Sequence, residues 1–250
     1  MTDVAEAARA NLAQTALPLP TGYAKGSSAM WRIYQYPLCP FSRKVRFALA
    51  VKGVTLELVR EYPWDGRDGF AALNPACQTP VVQNGSIVLS DSATICDYFE
   101  ETIERVPLLG AGPEERAEAR RLIAWFDQKF YAEVNAPLLG ERMYKRIISR
   151  QPPEASVVRA AARAAEGHLD YLDFLLDRRR WLSGPAFGLA DIAAAAQISV
   201  ADYLGGIEWD GHEPAKTWYS ALKSRPTFRP LLGERMEGLQ PPAHYDKLDF

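Results

Sequence analysis

Residues 31–53 read WRIYQYPLCPFSRKVRFALAVKG, and the handover inside this stretch decides the fold. WRIYQY reads as a strand, and PLCPFSRKVRFALAVKG reads as a tight turn feeding an amphipathic helix. Phe41, Val45, Ala48 and Leu49 fall on one helical face, and the same periodicity places Arg43, Lys44 and Arg46 away from it. Pro40 suits a first helical turn because its missing N–H is not needed there, and Gly53 suits a left-handed exit.

Working outward, a second strand is expected over Leu56–Arg60, followed by the loop YPWDGRDG and a short helix ending at Leu73. After NPACQTP come Val81 and Val82, the dipeptide Asn84-Gly85, and the run Ile87 to Leu89, which together read as a hairpin with positive φ at both central residues. A helix opening at Asp91-Ser92 buries Ile95, Phe99 and Ile103. The order β-α-β-α-β-β-α is that of a thioredoxin-like sheet with helices on both faces, so residues 30–105 read as an α/β thioredoxin-like domain. ERVPLLGAGP (104–113) reads as a connection. Residues 114–236 read as an all-α bundle: stripes run through Leu122, Phe126 and Phe130, then Ala161, Leu169 and Leu172, then the small residues Ile192, Ala195, Ala196, Ser199 and Val200. Pro-broken residues 237–250 read as an extended tail, with Tyr245 expected to fold back on the body. Residues 1–29 precede a second methionine, Met30, and read as a flexible leader or an artefactual extension.

The bulk properties exclude several function classes. A net charge of −2 gives no basic field for nucleic acid. Three cysteines, Cys39, Cys77 and Cys96, form no zinc-type pairs and no disulfide framework, which points to a reducing, cytoplasmic setting. His168, His212 and His244 share no metal-ligand spacing, so no metal site is expected. No apolar run nears the roughly 18 residues that span a bilayer, so no membrane insertion is expected.

Cys39 sits where a strand hands over to a helix N-terminus, and there unpaired N–H groups and the helix dipole favour a thiolate nucleophile; an inert half-buried thiol is the alternative. Ser42 stands where a resolving cysteine would, which disfavours dithiol cycling. Thr79-Pro80-Val81 occupies the place where thioredoxin-like folds use a cis-proline, and a cis bond is expected here. Asp91-Ser92 offers a hydroxyl and helix N–H donors to a ligand carboxylate, or is an ordinary N-cap.

PLCPFSRKVR, QTPVV, the Asp91-Ser92 pair, GLADI and WYSALKSRPTFRPLL, in that order, resemble the glutathione S-transferase superfamily over residues 31 to 235. The resemblance implies that Cys39 faces glutathione, that Thr79, Pro80 and Val81 pair with its cysteinyl backbone, and that Asp91 and Ser92 hold its γ-glutamyl end. Two departures stand out: Gly188 replaces the usual Ser or Thr three residues before Asp191, and Cys77 replaces a glycine or small residue.

WFDQKFYAEVNAPLLGERMYKRI, RQPP, DYLDFLLDRRRWLSGP, SVADYLGGIEW and PPAHYDKLDF resemble more closely the glutathione-transferase-like division proteins that bind the tubulin homologue FtsZ. This implies a cytoplasmic homodimer at the division site that binds FtsZ filaments, needs no cofactor and has little or no transferase activity, with glutathione as a candidate ligand only. Trp64, in a Pro63–Asp65 turn, and the tail residues Asp246, Lys247, Leu248, Asp249 and Phe250 are the candidate partner-binding residues. Arg142, Lys145, Arg146 and Arg150 form a basic cluster at helical spacing, suited to an acidic partner or to solvent. The rival reading is a glutathione-dependent thiol transferase using Cys39.

Overall fold

The computed structural model describes residues 30–248; the leader 1–29 and the tail candidates Asp249 and Phe250 lie outside the described residues. Strands β1 (Trp31–Gln35), β2 (Leu56–Arg60), β3 (Val81–Asn84) and β4 (Ile87–Ser90) form one sheet in the order β2-β1-β3-β4. β1 runs parallel to β2, with Ile33 opposite Leu58, so the chain needs a crossover, which α1 (Pro40–Val51) supplies. β3 is antiparallel to both β1 and β4, with Val82 opposite Ile33 and Leu89. α2 (Asp68–Leu73) precedes β3, and α3 (Ser92–Thr102) follows β4. This is the thioredoxin-like arrangement.

The hairpin differs in detail from the sequence expectation. Asn84 pairs with Ile87, so the central residues are Gly85 and Ser86, and of the two only Gly85 takes a positive φ, 58°. One left-handed position, filled by glycine, is what a two-residue turn of the II′ kind requires.

The helical half begins with α4 (Pro113–Ala124), which runs on without a break through a wide-turned π segment (Trp125–Asn135), α5 (Ala136–Leu138) and a second π segment (Leu139–Ser149). In the first wide stretch the Ala136 N–H reaches back to the Tyr131 carbonyl, and Pro137, just beyond, has no N–H to give to an ordinary α-helical rung. α6 (Ala155–Leu176), α7 (Leu189–Tyr203), α8 (Glu213–Lys223) and the short α9 (Arg229–Leu232) complete the bundle. Every residue of α7 is buried, and its run Ala193–Ala196 keeps it slim enough to be surrounded.

α7 packs on α1, and this overturns one expectation. Arg43, Lys44 and Arg46 do not face water: all three are buried. With the sheet beneath and the bundle above, α1 has no solvent face at these positions, so each charge finds a partner. Arg43 donates to the Pro37 carbonyl (2.7 Å), the Ser199 hydroxyl (2.8 Å) and the Tyr245 hydroxyl (2.8 Å). Lys44 pairs with Asp127, and Arg46 grips both oxygens of Glu234 (2.8 and 2.6 Å). Buried charges persist only when matched in this way.

The glycine at 188 is explained by the same close packing. A Cβ there would stand 2.6 Å from the backbone carbonyl of Leu108, so serine or threonine does not fit. Asp191 performs the capping instead, accepting from the N–H groups of Gly188 and Leu182 (both 3.0 Å) and from the Trp218 indole (2.9 Å). Burial pushes the Asp191 carboxyl up to about 6.

Candidate functional site

β1 ends beneath the bundle, and the turn after it is closed by the Cys39 N–H donating to the Tyr36 carbonyl (3.1 Å). Cys39 is thereby left as the N-cap of α1 with extended φ, and its Sγ accepts from the Ser42 N–H (3.4 Å) and from the Thr79 hydroxyl (3.3 Å). Thr79 stands beside it, and the Thr79–Pro80 peptide is cis, as expected from the sequence. Cys77, two residues earlier, takes φ of 50°, which accounts for the glycine or small residue common at this place in the family. Asp91 caps α3, its Oδ1 accepting from Ala93 (3.0 Å) and Thr94 (2.9 Å), and as a non-glycine at φ of 69° it is conformationally strained.

The structure therefore brings Cys39, Thr79, Pro80, Asp91 and Ser92 to one locality. Phe41, Asn74, Gln78, Thr79, Pro80, Asp91 and Ser92 line a cleft of about 160 Å³, and Phe41, Asp91 and Ser92 also wall a neighbouring space of about 440 Å³ that reaches Lys44 and Asp127. Val81 is set back from this cleft, fully buried and flanked by Tyr34 on one side and Ser90 on the other.

Cys39 does not line the cleft either. It is 2% exposed, and the residues around this turn include a set of aromatic rings that sequence reading does not assemble. The Tyr36 and Tyr144 hydroxyls are 2.9 Å apart, and Phe41 leans on Tyr131 with ring centres 4.8 Å apart. Burial pushes the Cys39 thiol up, against the smaller downward pull of its hydrogen bonds from Ser42 and Thr79. Burial likewise raises Tyr36, Tyr144 and, to about 12, Tyr131. The pull of the helix N-terminus toward a thiolate is thus outweighed by desolvation, and the locality holds a neutral thiol and neutral phenols.

Trp64, expected from the sequence as a partner anchor, is half-buried. Its ring stacks on Tyr62 (4.9 Å) and meets Tyr36 (5.2 Å) and Tyr144 (5.4 Å) edge-on, half-buried at the junction of the two domains. A turn tryptophan followed 80 residues later by a helical tyrosine gives no local signal of this contact.

The tail behaves differently. Residues 233–248 form no helix or strand, and Tyr245 folds back as expected, fully buried with its hydroxyl on Arg43. The Lys223 ammonium holds the carbonyls of His244 (3.4 Å) and Lys247 (3.1 Å), and His244 lies 2.9 Å from Asp202. On this anchored stem Asp246, Lys247 and Leu248 are exposed; Asp246 pairs with Arg235 (2.7 Å), and the Leu248 carbonyl accepts from Ser220 (3.0 Å).

A thioredoxin-like sheet with a cis-proline loop, a helix-capping Cys39 and an all-helical partner domain is the architecture of the glutathione transferases, and the glutathione S-transferase N-terminal domain family matches residues 38–102. The chain belongs to the glutathione S-transferase superfamily. Within it, the chain is 45% identical over 222 residues to FtsZ-localized protein A of Caulobacter vibrioides, covering 87% of this chain and 97% of that one. The solved structure of FzlA from C. crescentus superposes with a TM-score of 0.85 at 44% identity, covering 88% of this chain and all of that one. A glutathione S-transferase from Rhodospirillum rubrum gives the same score, identity and coverage.

Proposed function

We propose that this chain is a glutathione-transferase-like cell-division protein that binds FtsZ filaments and regulates the division ring, with little or no transferase activity of its own. The observation that carries the proposal is the likeness, at 45% identity over 97% of its length, to FtsZ-localized protein A. The geometry is consistent with it: the thiol that a transfer reaction would use is covered and held neutral, while Asp246, Lys247 and Leu248 stand exposed on a stem that the body holds in place. No helix among the described residues is long and apolar enough to cross a membrane. The working state in this proposal is a cytoplasmic homodimer at the division site. The tail from Asp246 to Phe250 forms the first contact surface, and Trp64 supports it from within the domain junction.

The test is co-sedimentation of the full chain with FtsZ polymer, beside a chain lacking residues 246–250. The full chain is expected to pellet with polymer and the truncated chain to stay in solution with unchanged thermal unfolding. Absence of the full chain from the pellet removes the partner, and equal pelleting of both removes the tail. Light scattering reads the proposed dimer directly, a monomer mass counting against it. The rival, thiol transfer from Cys39, keeps one support, the assembly of Thr79, Pro80, Asp91 and Ser92 beside the thiol. Calorimetry with glutathione separates the two, since tight binding together with turnover of a mixed disulfide belongs only to the rival.

A further inference from the structure

A second cavity lies away from Cys39, and none of its lining comes from the exposed residues 246–248. It is a groove of about 780 Å³ between the end of the second π segment, the loop after it, the C-terminal end of α7 and the start of the tail. Its floor is apolar, formed by Leu204, Leu239 and four proline rings, Pro152, Pro153, Pro241 and Pro242. Its charged wall is Arg142, Arg146 and Arg150, three of the four basic residues that stand out in the sequence at helical spacing. Glu141 also lines it, but its Oε2 already accepts from Lys145 (2.7 Å) and the Glu154 N–H (2.7 Å), so its charge is matched. Arg142 is engaged with the carbonyls of Leu204 and Gly205, whereas the side chains of Arg146 and Arg150 are exposed and make no hydrogen bond or ion pair within the described residues.

We propose that this groove is a docking site for an extended acidic peptide of a partner protein, independent of the FtsZ reading above. The rim carries two unmatched guanidinium forks, each able to take a carboxylate side-on, on a chain of net charge −2 that has no general attraction for anions. The prolines of the floor have no N–H to offer, so charge recognition falls to the arginines. Carboxylates of an extended chain can meet Arg146 and Arg150 on the rim, while its apolar residues meet the prolines and leucines of the lining. A concave floor of this size accommodates a chain rather than a flat membrane or a rod of duplex.

Arg150 adds a separate sign of function. It ends the helix in the left-handed conformation, φ of 52°, where glycine is the unstrained choice, and the strained residue is one whose side chain borders the groove.

The experiment uses the full chain and a fluorescein-labelled heptapeptide with glutamate at alternate positions and leucine or proline between, beside its lysine counterpart. Fluorescence anisotropy is expected to show binding of the glutamate probe alone, weakening as salt is raised. Arg146→Glu with Arg150→Glu is expected to weaken it by at least about tenfold. Arg150→Gly is expected to weaken it as well while leaving the melting temperature equal or higher, which separates recognition from folding. Equal binding of both probes, or of the glutamate probe by parent and double variant, overturns the proposal. So does complete displacement by an equal concentration of free glutamate, which marks a small-anion site. Tighter probe binding after removal of residues 1–29 gives the groove to that segment, and a changed mass of the double variant in light scattering gives it to a second copy; either result also overturns the proposal.

Discussion

Replacing Arg43 by methionine isolates the contact that ties the thiol loop, the bundle and the tail together. The guanidinium donates to the Pro37 carbonyl, the Ser199 hydroxyl and the Tyr245 hydroxyl, all at 2.7–2.8 Å and all in the dry interior. Ser199 keeps its own bond to the Ala196 carbonyl (2.8 Å), so its loss is small. Pro37 and Tyr245 are left with buried oxygens lacking this donor, at about 1–3 kcal/mol each. Against this, the variant no longer buries a charge whose Nη2 has no hydrogen-bond partner, and methionine fills most of the vacated volume. The net expected loss is about 3 kcal/mol, which for a chain of this length lowers the melting temperature by about 6–12 °C. Urea unfolding followed by tryptophan fluorescence measures the loss, and hydrogen exchange locates it: amides of residues 243–248 are expected to exchange faster than those of α7. A loss below about 1 kcal/mol, or one with no faster exchange in the tail, refutes the reasoning that Arg43 holds the tail down.

Gly188→Ala is expected to destabilise by about 1–3 kcal/mol, because its Cβ meets a backbone carbonyl that cannot swing aside. Gly140→Ala, helical with nothing within 4 Å of its added carbon, is expected to be neutral or to stabilise by up to about 1 kcal/mol in the same assay. With Ellman's reagent on native protein at pH 8, half-buried Cys77 is expected to react first, while Cys39 and Cys96 stay protected. Burial pushes both thiols up, Cys96 to about 12, so raising the pH through the ordinary thiol range yields little thiolate at Cys96; prompt reaction of Cys39 would show that its buried site opens. Cys39→Ser is expected to leave both thermal unfolding and FtsZ co-sedimentation intact, since an oxygen acceptor remains for Ser42 and Thr79; loss of co-sedimentation at normal stability supports the thiol-transfer reading.

The elements that declare themselves in the sequence are those whose signal is local. Pro40 after a strand and Asp91 before a helix need only neighbours in the chain, and both stand where the pattern puts them; the hairpin is found too, its turn shifted by one residue to Gly85-Ser86. The failure at Arg43, Lys44 and Arg46 has a definite cause. Helical periodicity assumes one wet face, but α1 lies between the sheet and α7; Asp127 and Glu234 neutralise Lys44 and Arg46, and the Ser199 and Tyr245 hydroxyls accept from Arg43. The aromatic cluster of Tyr36 with Tyr144 and of Phe41 with Tyr131 is hidden for the same reason, and so is the groove beside Arg146, which residues 203–205 and 239–242 also line. Tyr245 shows both sides of this limit. A free aromatic on a polar tail is costly enough that its return to the body is predictable, yet nothing near it in sequence names Arg43 as its partner. That partner gives the burial its consequence. One guanidinium bonds Pro37, two residues before the thiol, and Tyr245, one residue before the exposed stretch proposed to meet FtsZ, so a ligand that displaced the Cys39 loop would act on the tail through a single side chain.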